Sequence, residues 1–195
     1  MNELYPIFLK LNQLNTLLVG GGKVGLEKLH FMLKSSPHAH VTLVSIEISD
    51  EVSALANSSE NVTLIEDSYH ERYLSGKHLV IAATNDKAIN KQIYVDAKDR
   101  FLLINVADTP ELCDFYLGGI VTKGNLKIAI STNGKSPTTA KRLRQLLEEV
   151  IPDDVNDMIE NLHEYRNTLK GDLLYKVEAL NKLTEQLLTK GEGKD

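Results

Sequence analysis

Three consecutive glycines, Gly20, Gly21 and Gly22, interrupt an apolar run and constrain the fold of this chain more than any other feature. Residues 16–19 before them are a short apolar segment of the kind that forms a buried strand. Residues 24–33 after them carry apolar side chains at helical spacing. A strand, a glycine turn and a helix in this order predict one unit of a parallel α/β sheet.

The glycines also follow the spacing G-x-G-x-x-G through Gly20, Gly22 and Gly25. In such a turn the first glycine permits the tight bend, the second lets the backbone approach a pyrophosphate, and the third lets the helix pack closely on the strand. The free N–H groups at the start of the helix then face the phosphates. The turn therefore predicts a dinucleotide-binding site.

Four more apolar segments, at residues 39–45, 62–66, 79–84 and 101–106, alternate with segments of helical pattern. Strands that alternate with helices in this way form a right-handed parallel sheet. The sequence thus predicts an α/β chain in which residues 1–112 form a Rossmann-like, dinucleotide-binding domain.

Beyond this domain the pattern changes. Residues 114–122 and 126–132 predict two strands joined as a hairpin through a Gly-Asn pair. Ser136 and Pro137 are a typical cap and first position of a helix, which we expect to end before Pro152. We therefore expect a small α+β domain at residues 113–151, and a helical C-terminal domain at residues 152–195 that ends in a disordered tail.

Composition narrows the class of protein. A net charge of -5 and a pI near 5.7 argue against general binding to nucleic acid or to a membrane surface. A single cysteine, Cys113, excludes an internal disulfide and suits a reducing compartment. The chain contains no apolar run long enough to span a membrane, and its first residues lack the pattern of a signal peptide. We expect a cytoplasmic protein with no nucleic-acid or membrane partner.

An acidic residue at the right distance favours NAD over NADP as the cofactor. Glu47 comes 22 residues after Gly25 (47 − 25), about where a dinucleotide fold places the acid that binds the adenosine ribose. Its charge would repel the additional phosphate of NADP. The alternative is a solvated acid that opens a loop. Thr84, Asn85 and Asp86 follow the fourth predicted strand, at a carboxyl end of the kind where open α/β sheets bind ligands.

Several segments together resemble one family. They are Tyr5-Pro6-Ile7-Phe8-Leu9, Val19-Gly20-Gly21-Gly22-Lys23-Val24, Ala82-Ala83-Thr84-Asn85-Asp86, Asn105-Val106-Ala107-Asp108-Thr109-Pro110-Glu111-Leu112-Cys113-Asp114-Phe115 and Ala129-Ile130-Ser131-Thr132-Asn133-Gly134-Lys135-Ser136-Pro137. In order and spacing they are similar to the siroheme synthase dehydrogenase/chelatase family, the precorrin-2 dehydrogenases, over roughly residues 5–150. The last two segments are far more particular to this family than the glycine turn.

The resemblance implies that the chain oxidises precorrin-2, a tetrapyrrole, to sirohydrochlorin with NAD as the cofactor, and that it forms a homodimer through the domain at residues 113–151. It implies that Asp108 is the catalytic residue. The implied cofactor contacts are Gly20, Gly21, Gly22, Lys23, Val24, Gly25, Ile46, Glu47, Thr84, Asn85 and Asn105. Some members also insert Fe(II) to give siroheme, and the sequence leaves open whether this chain does.

Two departures from the family pattern are visible. Gly25 stands where members often have alanine, which strengthens the glycine fingerprint. The sequence carries no methyltransferase domain such as fused bacterial members have, so we expect another protein to perform that step.

The predicted chemistry needs a base, since oxidation of a reduced tetrapyrrole transfers a hydride and releases a proton. Asp108 follows the fifth predicted strand, on the rim where the nicotinamide would lie. The alternative is that Asp108, Thr109 and Pro110 form a simple turn. Asp114 is a second carboxylate for which a structural role is favoured.

A polycarboxylate substrate also calls for cations. Lys135, Lys141, Arg142 and Arg144 lie around the start of one predicted helix in an otherwise acidic chain, and Ser131, Thr132 and Ser136 are nearby donors. A solvated helix face is the alternative for the four cations, and turn or cap roles are the alternative for the hydroxyls.

Other readings stay open. His38 and His40 share one face of a predicted strand but lack a third ligand nearby, so we expect no permanent metal site. Cys113 is expected to be a partly buried thiol that reacts only if a cation lowers its pKa. The alternative function is a dinucleotide-binding module that senses NAD without turnover, which would need neither a rim base nor a cationic pocket.

Overall fold

The computed structural model describes residues 2–185, and a five-stranded parallel sheet forms the centre of their first compact unit. The strands are β1 (Asn15–Gly21), β2 (His40–Ile48), β3 (Val62–Glu66), β4 (Leu79–Ala82) and β5 (Leu103–Val106), in the order β3-β2-β1-β4-β5. The helices between them are α1 (Lys23–Ser35), α2 (Asp50–Asn57) and α3 (Lys87–Asp99). The predicted α/β class with a Rossmann-like parallel sheet is confirmed.

The sheet is buried on both faces, which explains why its strands are almost continuously apolar. Successive side chains of β1 point to opposite faces, so Leu17 and Val19 enter one core cluster and Leu18 enters the other. The helix α3 contributes Ile93 to the first cluster, and α1 contributes Leu29 to the second. Both layers therefore anchor the strand that leads into the glycine turn.

An irregularity in the pairing of β1 with β2 shapes the carboxyl edge of the sheet. Val19 pairs with Val44, whereas Gly21 pairs with Ile48, so β2 carries extra residues between the two pairs. The N–H of Ser49 donates to the carbonyl of Gly21 at 3.1 Å and closes this bulge. Glu47 consequently lies inside β2, so the predicted end of this strand at residue 45 is wrong. Such a bulge locally disrupts the ladder and bends the strand that carries the extra residues.

The strand order creates a switch point between β1 and β4. After β1 the chain continues to β2 and β3 on one side, and it then crosses over to β4 and β5 on the other. Connections therefore leave the carboxyl ends of β1 and β4 in opposite directions, and a crevice opens between them. Open α/β sheets bind their ligands at such a point.

Other elements follow the sheet. They are β6 (Gly119–Lys123), β7 (Leu126–Ile130), α4 (Pro137–Val150), α5 (Val155–Thr168) and α6 (Leu173–Thr184). The first compact unit extends to Gly119 and includes Ser131–Ala140, while the second contains Ile120–Ile130 and the chain from Lys141 onwards. The predicted division at residues 1–112, 113–151 and 152–195 stays a prediction, and its disordered tail at Gly191 to Asp195 lies outside the described residues.

The hairpin of β6 and β7 is held within the second unit. Its two-residue connection, Gly124 and Asn125, permits only antiparallel pairing. The N–H of Asn125 donates to the side-chain oxygen of Asn156 on α5 at 2.7 Å, and Lys123 forms an ion pair with Asp153. The hairpin strand predicted to begin at Asp114 begins only at Gly119, because Asp114 instead bonds to the edge of β5.

Candidate dinucleotide-binding site

A cavity of about 830 Å³ lies at the carboxyl edge of the sheet, within the size range of small-molecule sites. Four strand ends contribute to its wall, those of β1, β2, β3 and β4. The lining residues are Val19, Gly20, Gly21, Gly22, Lys23, Val24, Ser45, Ile46, Glu47, Ile48, Ser49, Asp67, Ser68, Tyr69, Ala83, Thr84, Asn85, Asp86 and Ile89. Nine of the predicted cofactor contacts are in this set: Gly20, Gly21, Gly22, Lys23, Val24, Ile46, Glu47, Thr84 and Asn85.

The glycine turn is packed too tightly for side chains at three of its positions, since a Cβ on Gly21 would lie 2.5 Å from the carbonyl oxygen of Glu47 and those on Gly20 and Gly25 would also meet backbone. Gly20 has φ +119°, and a Cβ there would lie 2.4 Å from the carbonyl oxygen of Ala83. A Cβ on Gly25 would lie 1.9 Å from the carbonyl oxygen of Gly20. Gly25 therefore lets α1 pack against the turn and does not line the cavity, whereas a Cβ on Gly22 would meet no described atom within 4 Å.

The N-terminus of α1 is suited to bind a phosphate group. Gly22 is the N-cap and has no side chain to bond the first amides, and the hydrogen bond from Leu26 to Gly22 is 2.9 Å. The amides before Leu26 are the ones that a helix leaves without an intrahelical partner. The first turn contains Lys23 and no acidic residue. A helix end of this kind, open to a cavity, fits the pyrophosphate of a dinucleotide.

Asn90 is a site residue that sequence reasoning missed. It is only 6% exposed, and its side-chain amide donates to the carbonyl of Thr84 at 3.0 Å. Its oxygen accepts from the hydroxyl of Thr84 at 2.7 Å and from the N–H of Thr84 at 3.3 Å. The adjacent turn is fixed by Asp86, which caps α3. Asn90 thus holds the cavity wall without lining it. A polar residue on the apolar face of α3 was the available signal.

Glu47 is exposed and lines the cavity from the end of β2, as its predicted ribose contact requires. The residues after β3, namely Asp67, Ser68 and Tyr69, form the neighbouring wall. Among them, Tyr69 donates its hydroxyl to Asp96 at 2.9 Å, and burial together with Asp96 raises the pKa of Tyr69 far above its ordinary value. Tyr69 is therefore a neutral donor at any physiological pH.

Asp108 lies two residues beyond β5, on the opposite side of the switch point from Glu47. Its side chain is exposed, and its backbone is left-handed with φ 56°. Aspartate tolerates this conformation better than most residues with a side chain. The described residues that line the cavity do not include Asp108.

The base of the Asp108 turn is tied to β5 by three side chains. Asn105, which is 7% exposed and does not line the cavity, donates to the carbonyl of Phe115 at 2.8 Å. Asp114 accepts from the N–H of Ile104 at 3.1 Å and pairs with Lys98. The thiol of Cys113 contacts the N–H and carbonyl of Val106, both at 3.3 Å, and burial raises its pKa. All three residues serve this turn structurally.

The hydroxyls predicted to bind substrate come together in one turn of the first unit. Ser131 accepts from the N–H of Asn133 at 3.2 Å, and Thr132 bonds to both the N–H and the carbonyl of Ser136. Ser136 caps α4 by accepting from the N–H of Thr139 at 3.2 Å. Lys135 lies within this turn, and its N–H donates to the carbonyl of Thr132 at 3.0 Å. The three hydroxyls therefore have the turn and cap roles that the sequence offered as the alternative to substrate binding.

The remaining predicted cations lie on α4, in the second unit. Arg144 pairs with Glu148 one turn along the helix at 2.6 Å, and Arg142 bonds to Gln145 at 3.1 Å. Lys141 is exposed. These contacts are those of a solvated helix face, and they leave a role in substrate binding as a prediction.

Within residues 2–185, no helix is long and apolar enough to cross a membrane. The same part of the chain contains no group of three or more His, Cys, Asp and Glu side chains that could hold a metal ion.

Comparison with known proteins identifies the family. Residues 7–119, more than half of the chain, match the family described as putative NAD(P)-binding. Residues 123–149 match the family described as sirohaem biosynthesis protein central. The chain belongs to the siroheme synthase family. The residues that line the cavity at the switch point all lie within the stretch that matches the NAD(P)-binding family.

Curated relatives carry the same family name. The chain is 37% identical over 169 residues to a siroheme synthase of Psychrobacter cryohalolentis. The aligned residues cover 87% of this chain and 32% of the relative. It is 32% identical over 171 residues to the siroheme synthase of Nitrosomonas europaea, and here the aligned residues cover 88% of this chain and 36% of the relative. The chain thus spans about one third of the length of these siroheme synthases.

A solved structure agrees with the fold. The precorrin-2 dehydrogenase SirC superposes with a TM-score of 0.75 at 24% sequence identity, over 92% of this chain and 89% of that one. The likeness extends beyond the parallel sheet, and it shows that this member of the siroheme synthase family has the fold of SirC.

Proposed function

We propose that this protein is an NAD-dependent precorrin-2 dehydrogenase, which oxidises precorrin-2 to sirohydrochlorin. The observation that carries the proposal is the arrangement along one sheet edge, with a dinucleotide-sized cavity at the switch point and Asp108 beyond the neighbouring strand. The names of the siroheme synthase relatives and of SirC support this substrate class.

The residues present fit NAD. The open N-terminus of α1 would receive the pyrophosphate, and Gly22 leaves room for it. Glu47, at the end of β2, would accept hydrogen bonds from the adenosine ribose, while Thr84 and Asn85 line the side toward β5. Ile46 and Val24 would contact the cofactor through apolar surface. Bound NAD supplies the hydride acceptor.

Asp108 is the base of the proposed mechanism. Oxidation of the reduced macrocycle releases a proton along with the hydride, and an exposed carboxylate at the end of β5 could receive it. The ties from Asn105, Cys113 and Asp114 fix both ends of the turn that carries Asp108. The carboxylate would therefore keep its position while substrate enters and leaves.

The carboxylates of the tetrapyrrole would bind to the hydroxyl and cation set. We assign Ser131, Thr132, Lys135, Ser136, Lys141, Arg142 and Arg144 to this role. Arg144 would have to exchange its ion pair with Glu148 for a substrate carboxylate. Such an exchange is inexpensive because ion pairs of this partly exposed type contribute little net stability.

The proposal extends to the assembly and the location. Exposed apolar side chains on α4 and α6, including Leu146, Val150, Leu173 and Leu174, support a homodimer formed by this part of the chain. The half-buried, unpaired thiol of Cys113 suits a reducing cytoplasm. Fe(II) would enter as a second substrate if the protein also makes siroheme. We retain the three-domain division, with residues 113–151 as the dimerisation domain.

Anaerobic incubation of the purified protein with precorrin-2 and NAD tests the proposal. We expect the absorbance of reduced nicotinamide to rise in step with sirohydrochlorin. NAD binding without any turnover would overturn the proposal in favour of the sensing module. Adding Fe(II) to sirohydrochlorin and the protein, with no NAD present, tests the chelatase step separately, since siroheme would form above the uncatalysed rate.

A further inference from the structure

A tightly held carboxylate follows β3 and forms part of the cavity wall. Asp67 receives the guanidinium of Arg72 at 2.7 Å and the hydroxyl of Tyr73 on one oxygen. Its other oxygen accepts from the N–H of Ser68 at 2.8 Å. The N–H of Asp67 itself donates to the carbonyl of Ser45 in β2 at 3.0 Å. These contacts fix the carboxylate, and only 32% of its side chain remains exposed.

The network keeps Asp67 ionised. The hydrogen bond from Tyr73 is the largest cause that lowers the pKa of Asp67, and Arg72 and His70 lower it further. The cavity wall therefore carries two carboxylates, Asp67 after β3 and Glu47 at the end of β2. The guanidinium of Arg72 also lies 5.0 Å from the ring centre of Tyr73, so it is held on two sides.

The sheet order determines which part of a dinucleotide these carboxylates face. The glycine turn that would receive the pyrophosphate follows β1, and Asp108 follows β5 on one side of it. The adenosine half must then extend over β2 toward β3. Neighbouring strands are about 4.8 Å apart, so Glu47 and Asp67 both lie within reach of substituents on the adenosine ribose.

We propose that Asp67 acts with Glu47 to exclude NADP, and that its ion pair withholds Arg72 from the 2′-phosphate that distinguishes NADP from NAD. A phosphate at this position would meet two negative charges, while the guanidinium of Arg72 is already paired with Asp67. The inference rests on the dinucleotide site of the proposed function and is independent of the tetrapyrrole substrate. It assigns selectivity to a residue one strand beyond the expected acid.

Fluorescence titration measures the selectivity directly. The chain contains no tryptophan, so the emission of reduced nicotinamide can be followed without interference from indole. The dissociation constants of NADH and NADPH are determined for the wild type and for Asp67→Asn, which keeps the shape of the side chain but removes its charge. We expect the NADH preference to fall about tenfold in the variant, with a smaller effect at high salt because the cause is electrostatic.

Two further variants make the test specific. Asp96→Asn removes a carboxylate that binds Tyr69 but does not line the cavity, and the preference should stay at the wild-type value. In the double variant Asp67→Asn with Arg72→Gln, part of the gain in NADPH affinity should disappear, because the released guanidinium is absent.

The possible outcomes separate the two claims. An unchanged preference in Asp67→Asn, with NADH still bound, overturns the inference alone. An undiminished gain in the double variant overturns the role of Arg72. A wild-type protein that binds neither nucleotide overturns the cofactor site of the proposed function.

Discussion

The side chain of Asn90 binds Thr84 at the N–H, the hydroxyl and the carbonyl of that one residue. Thr84 lines the cavity, whereas Asn90 lies behind it on α3 and is buried. The amide is suited to this position because it combines a donor and an acceptor. The wall of the cofactor site at the end of β4 therefore depends on a residue that need not touch the cofactor.

The variant Asn90→Leu tests this dependence. Leucine has a similar size but removes the Asn90 bonds to the N–H and the carbonyl of Thr84, while the Thr84 hydroxyl keeps its contacts with Asp86. The loss of a partner costs roughly 1–3 kcal/mol for a buried group. We expect lower stability in urea unfolding and weaker NADH binding. The control Gln92→Leu changes an exposed residue of the same helix. Equal NADH binding by Asn90→Leu and the wild type would show that the cofactor site does not depend on the hydrogen bonds between Asn90 and Thr84.

A second prediction concerns the close contact at Gly20. Alanine there would place its Cβ 2.4 Å from the carbonyl oxygen of Ala83, in a left-handed conformation. Gly76→Ala is a matched control, since Gly76 also has a left-handed φ of +69° but a Cβ there meets nothing described within 4 Å. We expect Gly20→Ala to lower the free energy of unfolding by about 2 kcal/mol more than the control does. Equal losses would mean that only backbone strain matters.

Gly22 provides the complementary case, in which folding is retained and binding is lost. A Cβ at Gly22 has open space, so Gly22→Asp should fold normally while its carboxylate occupies the place of the pyrophosphate. Gly22→Asn has the same shape without the charge and should bind NADH more tightly than Gly22→Asp. Titration of both variants with NADH checks this order, and normal binding by Gly22→Asp would contradict the assignment of the turn.

The thiol of Cys113 should react slowly. Burial raises its pKa above the ordinary 9.0, so the neutral form is favoured in the folded state. The contribution of the neutral thiol to the free energy of unfolding is then fully present below pH 9.0. It is lost as the pH rises through the higher pKa of Cys113 in the folded state. Because Cys113 is the single cysteine, alkylation by iodoacetamide reports on it alone. At mildly alkaline pH we expect the native protein to react about tenfold more slowly than the urea-unfolded chain. Equal rates would contradict the burial argument.

Most of the sheet could be predicted because its strands are short apolar runs separated by glycine, polar or helical segments. The glycine fingerprint correctly indicated the turn, the helix start and the position of the cavity. The bulge in β2 could not be predicted, because it arises from the pairing of Gly21 with Ile48 and no sequence pattern indicates it. For that reason Glu47 was expected outside the strand.

The site was only partly predictable for a related reason. Asn90 occupies a buried position on α3 together with Ile93 and Ala97, so its apolar neighbours were a usable signal. Asp67 follows a short strand in a polar connector, and nothing in the sequence indicates that Arg72 and Tyr73 fold back onto it. The predicted roles of Asn105 and of the cations on α4 remain predictions, because the described contacts of these residues are structural or solvent-facing.

The proposed dehydrogenase is tested most directly by the rate of NADH formation from precorrin-2 and NAD under anaerobic conditions, measured for the wild type and for Asp108→Asn. Asparagine tolerates the left-handed φ of 56° at this position, so the fold and NADH binding should survive. We predict turnover by the wild type and a rate lower by a factor of about ten or more in the variant. Equal rates would remove Asp108 from the mechanism, and no turnover by a wild type that binds NAD would contradict the proposed dehydrogenase itself.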